Sequence, residues 1–141
     1  MSLSIIIPAY NEEKYIENTL KAINLGETIV VCNGCTDNTA QIAKKYASKV
    51  IEIKEKGVSK ARNIGAKSAS NERLVFLDAD IIVSNTILTK IKNSSFTIGS
   101  SKVKPNSSKL KHRIFMNIKT NLNYFGFSSG LIFCDKNLFN R

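Results

Sequence analysis

Four apolar runs of strand length, Leu3 to Pro8, Thr28 to Val31, Lys49 to Ile53 and Leu74 to Leu77, alternate with helix-like stretches through the first 80 residues. The connections between them are short. Such alternation specifies a mostly parallel sheet with helices laid over it. Strands in a sheet of that kind are covered on both faces, so their runs read as apolar throughout. The first helix draws its apolar stripe from Tyr15, Ile16, Thr19, Leu20 and Ile23, with Asn11 as the expected N-cap, Glu12 and Glu13 in the first turn, and Gly26 beyond its end. A turn at Asn33-Gly34 leads to a second helix, capped by Thr36 or Asp37 and running to about Tyr46. The third, Gly57 to Ala69, carries Ala61, Gly65, Ala66 and Ala69, which let it lie close to the sheet or to a ligand. Ser84 or Asn85 opens a fourth helix to about Ile91, and Phe96 to Ser100 forms a fifth strand.

The character then changes. Residues 102–109 read as a polar loop around Pro105-Asn106-Ser107-Ser108. Leu110, Ile114, Phe115, Ile118 and Leu122 recur at helical spacing among Lys111, His112, Arg113 and Lys119, which describes a basic amphipathic helix. Packing against a core is the ordinary fate of such a helix, and contact with a membrane surface through residues 109–125 is the sharper expectation. Phe127 to Cys134 closes the chain as an apolar strand. The whole fits one domain of residues 1–141, with 1–100 as its ligand-binding part and 101–141 as a basic second part. No apolar stretch approaches a membrane span and no signal peptide opens the chain, so the cytoplasm is the expected compartment, with any membrane contact peripheral.

Charge divides the chain. Up to Asp80, eleven Lys or Arg face ten Asp or Glu; beyond it, ten Lys or Arg face only Asp135. A half with that balance suits an anionic partner: a phosphorylated substrate, an anionic membrane surface or nucleic acid. A nucleic-acid-binding module is the weaker reading, because no nucleic-acid motif accompanies the charge. Three cysteines, an odd number, argue against a disulfide framework. Cys32-Asn33-Gly34-Cys35 has the spacing of a zinc or redox pair, but only Cys134 and His112 remain to complete a zinc site.

Two carboxylates one residue apart, Asp78 and Asp80, end the fourth strand. Strand ends are where an open α/β sheet delivers its functional groups. Hard divalent cations take oxygen ligands, commonly one or two carboxylates plus substrate phosphates. The pair therefore suits a metal–diphosphate, and equally suits plain strand termination and capping.

Read in order, three segments resemble the family-2 glycosyltransferases: Ser4-Ile5-Ile6-Ile7-Pro8-Ala9-Tyr10-Asn11-Glu12-Glu13, Gly57-Val58-Ser59-Lys60-Ala61-Arg62-Asn63-Ile64-Gly65-Ala66, and Phe76-Leu77-Asp78-Ala79-Asp80. Between the first two, Val30 to Thr39 also fits. The resemblance covers residues 3–80 closely and 96–141 loosely. It implies a Rossmann-like GT-A fold, shortened at the C-terminus, that binds a nucleoside diphosphate sugar with Mn²⁺ or Mg²⁺. On that pattern Tyr10 would stack on or flank the base, Pro8 and Glu12 would shape its pocket, and Asn33 would face it in place of the family's usual aspartate. Lys60 and Arg62 would bind substrate, Arg62 suiting the diphosphate. Asp78 would contact ribose or a metal-bound water, and Asp80 would ligate the metal.

The implied reaction transfers a sugar to a carbohydrate or lipid-phosphate acceptor with inversion. The chain ends before the family's Gly-Gly-Phe turn and the acidic pair that carries its general base, and Asp135 does not match that position. The catalytic base is therefore unassigned, and a truncated or inactive nucleotide-binding domain is the alternative. A nucleotidyltransferase is disfavoured because Pro8-Ala9-Tyr10-Asn11-Glu12 lacks glycine for a phosphate-wrapping loop.

Overall fold

A computed structural model describes residues 2–100 and 130–140. The elements run β1 (Leu3–Ala9), α1 (Ile16–Lys21), β2 (Glu27–Asn33), α2 (Thr39–Ala43), β3 (Lys49–Ile53), α3 (Val58–Ser68), β4 (Arg73–Leu77), α4 (Asn85–Asn93), β5 (Ile98–Ser100), β6 (Leu131–Asp135) and α5 (Lys136–Phe139). They form one six-stranded sheet in the order β3-β2-β1-β4-β6-β5. Pairing among β1, β2, β3 and β4 is parallel, and β6 runs antiparallel to both β4 and β5. The sheet is thus mixed, with β6 opposed to the other strands and helices on both faces. The match to a mostly parallel α/β sheet is close. The reversed strand is the feature that apolar runs alone do not reveal.

Period two along the strands sorts the core onto two faces. Ile5, Ile7, Val30, Val75 and Leu77 pack with Ile16 and Leu20 of α1, Ala40 and Ala43 of α2, and Leu88 and Ile91 of α4. Ile6, Ile29, Val31, Leu74 and Phe76 face the other way, against Ala61 and Ala66 of α3 and Phe139 of α5. The small residues of α3 do what their size suggests. A Cβ placed on Gly65 would lie 2.4 Å from Cγ2 of Ile6, so only glycine lets α3 approach β1 this closely.

Pro8 sits inside β1, opposite Val31 of β2. Pairing of β1 with β4 ends at Ile6, so Pro8 lies where β1 has β2 alone as its paired neighbour, and the missing N–H interrupts no ladder to β4. The chain then departs from the expected N-cap. Asn11 takes a left-handed conformation, φ 54°, and α1 begins only at Ile16. Tertiary bonds explain the delay. The backbone N–H of Glu12 donates to Thr39 Oγ1 at 2.8 Å and that of Glu13 to Asp37 Oδ2 at 3.2 Å. These amides are held by the first residue of α2 and by the loop before it, so the cap position moves on. Asp37 accepts from the Thr39 N–H at 3.0 Å just ahead of α2, as a capping carboxylate would. Ser84 caps α4 through the Ile87 N–H, as its sequence position suggests.

At the opposite edge of the molecule from the strand ends that matter below, Arg73 opens β4 one residue earlier than the apolar run suggests. It is buried and its Nε pairs with Asp135 of β6 at 2.6 Å. Its guanidinium also donates to the carbonyls of Ile91 and Ser94 at the end of α4, where a cation meets the negative end of the helix dipole. The expected loop at 102–109, the amphipathic helix at 110–122 and the first part of the closing strand lie outside the described residues.

Candidate functional site

From β1 the chain builds outward to β2 and β3, then crosses back so that β4 lies on the other flank of β1. That reversal of strand order opens a crevice at the carboxyl ends of β1 and β4, the position where open α/β sheets bind ligands. Tyr10 to Glu12 follow β1 and Asp78 to Asp80 follow β4, so the topology brings these two motifs to one rim. Asn33 ends β2 beside them, and Arg62 reaches in from α3.

Asp78 and Asp80 straddle a pinned residue. Ala79 is buried, and its carbonyl accepts the hydroxyl of Thr19 from α1 at 2.7 Å. Asp78 is half-buried and takes a hydrogen-bonded ion pair from Arg62 Nη2 at 2.9 Å, while its own N–H donates to the Gly130 carbonyl at 3.1 Å. Asp80 is exposed. Across the crevice, burial pushes the Glu12 carboxyl above its ordinary range, and the charges of Asp80, Asp37 and Asp78 push it further. Glu12 therefore feels three other acidic side chains at this rim. Asp37 itself moves the other way. Burial opposes its ionisation, but hydrogen bonds from Thr39 and from the Glu13 N–H outweigh that and hold it below the usual carboxylate range.

This electrostatic arrangement fits a divalent cation. A cation near Asp80 would relieve the repulsion that Glu12 records, and Asp80 offers the hard oxygen donor such ions prefer. Among the described residues no three acidic, His or Cys side chains gather closely enough to hold a metal on their own. Ligand oxygens, such as those of a diphosphate, would supply the rest of the shell. A further sign is Arg62 Nε, a buried N–H with no hydrogen-bond partner among the described residues.

Glu12 gives a test of this crowding. Its folded pKa lies above the ordinary 4.5, so the ionised carboxylate destabilises the fold at neutral pH, and that penalty vanishes once pH falls below the unfolded value. Glu12→Gln should therefore raise the thermal midpoint of the ligand-free protein at pH 7. The advantage should disappear below about pH 4, as thermal scans at the two pH values would show.

The remaining sequence-derived candidates are distributed unevenly. Tyr10 is 38 % exposed at the rim, with the Lys56 ammonium 4.4 Å from its ring centroid. Pro8 is buried within β1, behind the rim rather than at it. Lys60 is exposed on the first turn of α3 and pairs with Glu55. Asn33 lies inside the strand end rather than in a turn and is 5 % exposed, its amide bonded to backbone on both sides. Asp135 pairs in register with Arg73, whereas Leu131 pairs with Leu77, so Asp135 sits a full strand length from the rim. Sequence reasoning did not single out Lys56, and nothing distinguishes it from the neighbouring lysines of a polar loop until the fold sets it over Tyr10. Nor did it find the Thr19 pin, which reads in sequence as part of an apolar stripe.

The cysteine pair does not form a reactive centre. Burial, with a further contribution from Cys35, pushes the Cys32 thiol up to about 12, the opposite of an activated thiolate. Cys35 donates its S–H to the Ala9 carbonyl at 3.3 Å, and all three cysteines are free. Cys134 lies on β6, and His112 is outside the described residues.

Residues 4–132 match the family described as Glycosyl transferase family 2. The poly(ribitol-phosphate) beta-N-acetylglucosaminyltransferase TarS of Staphylococcus aureus is 34% identical over 101 residues, 62% of this chain and 18% of that protein. A dolichol-phosphate mannosyltransferase of Pyrococcus furiosus is 38% identical over 121 residues, 74% of this chain and 34% of its own length. Among solved structures, S. aureus TarS 1-349 in complex with UDP superposes with a TM-score of 0.75 at 24% identity, over 99% of this chain and 48% of the other. The mannosyltransferase PcManGT from Pyrobaculum calidifontis, in complex with GDP-Man and Mn²⁺, gives 0.74 at 23% identity, over 99% of this chain and 46% of the other. At such identities these structures establish the fold, which is the expected GT-A type. The chain spans about half the length of these structures and a smaller share, 18% and 34%, of the two curated relatives.

Proposed function

The chain belongs to glycosyl transferase family 2, and we propose that it forms the nucleotide-sugar-binding domain of a metal-dependent, inverting glycosyltransferase. The observation that carries this reading is the convergence of Glu12, Asp78 and Asp80 with Arg62 at the crevice between β1 and β4. Neighbours of the same fold crystallised with UDP, or with GDP-Man and Mn²⁺, support it. In this reading Tyr10 flanks the base, Asp78 receives the ribose or a metal-bound water, and Asp80 holds Mn²⁺ or Mg²⁺. When bound, the cation would offset the charge that develops on a departing diphosphate.

The chain's own residues set the rest. Arg62 fixes the Asp78 carboxylate through Nη2, and its buried Nε–H, without a partner among the described residues, is free in this reading to serve a ligand oxygen. Attack by an acceptor oxygen on the anomeric carbon, opposite the leaving diphosphate, inverts that centre. Asp135 is tied to Arg73 at the far end of the sheet, so it cannot take the acceptor proton. The acceptor in this reading is either a carbohydrate hydroxyl, which needs a general base, or a lipid phosphate, which is already ionised and needs none.

The second part of the chain, residues 101–141, is proposed as the basic acceptor side, with residues 109–125 meeting an anionic membrane surface from the cytoplasm. No helix among the described residues is long and apolar enough to cross a membrane. The direct test is calorimetry. UDP or GDP should bind in the presence of Mn²⁺ or Mg²⁺ and be released on chelation with EDTA. Absence of binding by either nucleotide at millimolar concentration with metal present would dismiss the proposal. Release of free nucleoside diphosphate from a nucleotide sugar, dependent on added lipid phosphate, would separate transfer from binding alone.

A further inference from the structure

Asp80 presents an exposed side chain from a backbone that is held. Residues Asp78 to Ile81 form a tight turn, closed by the Ile81 N–H donating to the Asp78 carbonyl at 3.2 Å. Ala79 and Asp80 are its central residues. The peptide between them is the one that rotates between the common turn types, and its rotation changes the conformation of the residue that follows. Here the Ala79 carbonyl is buried and accepts the Thr19 hydroxyl at 2.7 Å, so that peptide has one setting.

Thr19 is well placed to hold it. The residue is 1 % exposed and lies in the middle of α1, between Ile16 and Leu20 of the core. A threonine in a helix commonly turns its hydroxyl back to the carbonyl four residues earlier. This one reaches instead to a loop 60 residues along the chain. The lead-in to α1 is fixed in turn by the Glu12 carbonyl, which accepts the Tyr15 and Ile16 N–H groups at 2.9 Å each. A helix anchored on Glu12 thus clasps the turn that carries Asp80.

We infer that Thr19 is a positioning residue for a divalent cation at Asp80, its hydroxyl locking the Ala79–Asp80 peptide and so aiming the Asp80 carboxylate. The inference rests on the nucleotide-sugar reading above, with Asp80 as the cation's ligand. A buried side chain outside the crevice then governs affinity for the metal and leaves the nucleotide's own contacts alone.

Thr19→Val keeps the branched shape and removes the hydroxyl. Binding of UDP and of GDP to the full chain would be titrated by calorimetry over a series of Mn²⁺ concentrations. The Mn²⁺ concentration that gives half the full gain in nucleotide affinity should rise about tenfold. Saturating Mn²⁺ should return that affinity to within about twofold of the wild type. Thr19→Ser, which keeps the donor, should behave as the wild type does. Thr28→Val is the matched control. It removes another buried hydroxyl, paired with Ser48 at 3.3 Å near the opposite end of β2 from the rim, and should leave the Mn²⁺ requirement unchanged. Should Thr19→Val fail to fold, Thr19→Cys, whose S–H donates weakly, should show a smaller rise in the same requirement. An unchanged Mn²⁺ requirement in whichever of these two folds, an equal rise in Thr28→Val or Thr19→Ser, or a loss that excess Mn²⁺ does not recover would each overturn the inference. Failure of the wild type to bind either nucleotide with Mn²⁺ would instead remove the reading on which it rests.

Discussion

Asp80→Asn should reduce metal-dependent nucleotide binding by about a hundredfold or more, because it takes away the exposed carboxylate proposed to hold the cation. An amide oxygen keeps the shape and loses the charge. Binding that remains in EDTA should be unchanged, since it owes nothing to the metal. Glu72→Gln provides the matched control. It removes the same unit of charge from an exposed position at the other end of β4, and should shift affinity by less than about twofold. Equal losses in the two variants, measured by titration calorimetry with Mn²⁺, would mean that Asp80 acts through the general field and not as a ligand.

Arg73→Ala should be the most destabilising single substitution proposed for this chain, costing about 3–5 kcal/mol. Arg73 is 2 % exposed and holds together Asp135 of β6, the last carbonyls of α4 and the face of Phe133. Removing it strands a largely buried carboxylate and takes the charged donor from those carbonyls, Ile91's keeping the Ser94 N–H. The pair need not be stabilising relative to an apolar one, however, because both ions lose hydration on burial. Arg73→Met combined with Asp135→Leu should therefore be less destabilised than either Arg73→Met or Asp135→Leu alone, the wild type completing the cycle. Urea midpoints of the four proteins test this. A double variant as damaged as the sum of its parts would show that the two side chains act independently.

The strands were the most legible part of the chain. Lys49–Ile53 carries its own boundaries in its β-branched run, and β1 and β4 end where Pro8-Ala9-Tyr10 and Asp78 interrupt apolar stretches. Arg73 shows why a boundary shifts by one residue: a charged side chain looks like a strand's outside until a partner from β6 makes it part of the inside. Asn11 shows the same effect in a helix. Its cap chemistry is genuine, but its side chain accepts the Thr36 N–H at 2.8 Å, a bond to a loop 25 residues away that no local pattern announces. The site was legible as motifs and not as geometry. Asp78 and Asp80 advertise themselves by spacing, whereas the bond from Arg62 to Asp78 depends on how α3 crosses β1. Asn33 looked like a turn residue because Asn-Gly favours turns, yet its amide bonds inward to the Ala9 carbonyl and the Gly57 N–H.

The reversed strand carries a further consequence. Ser100 lies opposite Ile132, and Leu131 opposite Leu77, so β5 ends and β6 begins on the same side of the sheet as Asp78. Gly130 touches that aspartate directly. Ser100 and Gly130 therefore both stand at the mouth of the crevice, so the turn-ward ends of β5 and β6 share one rim with the carboxylates that follow β4.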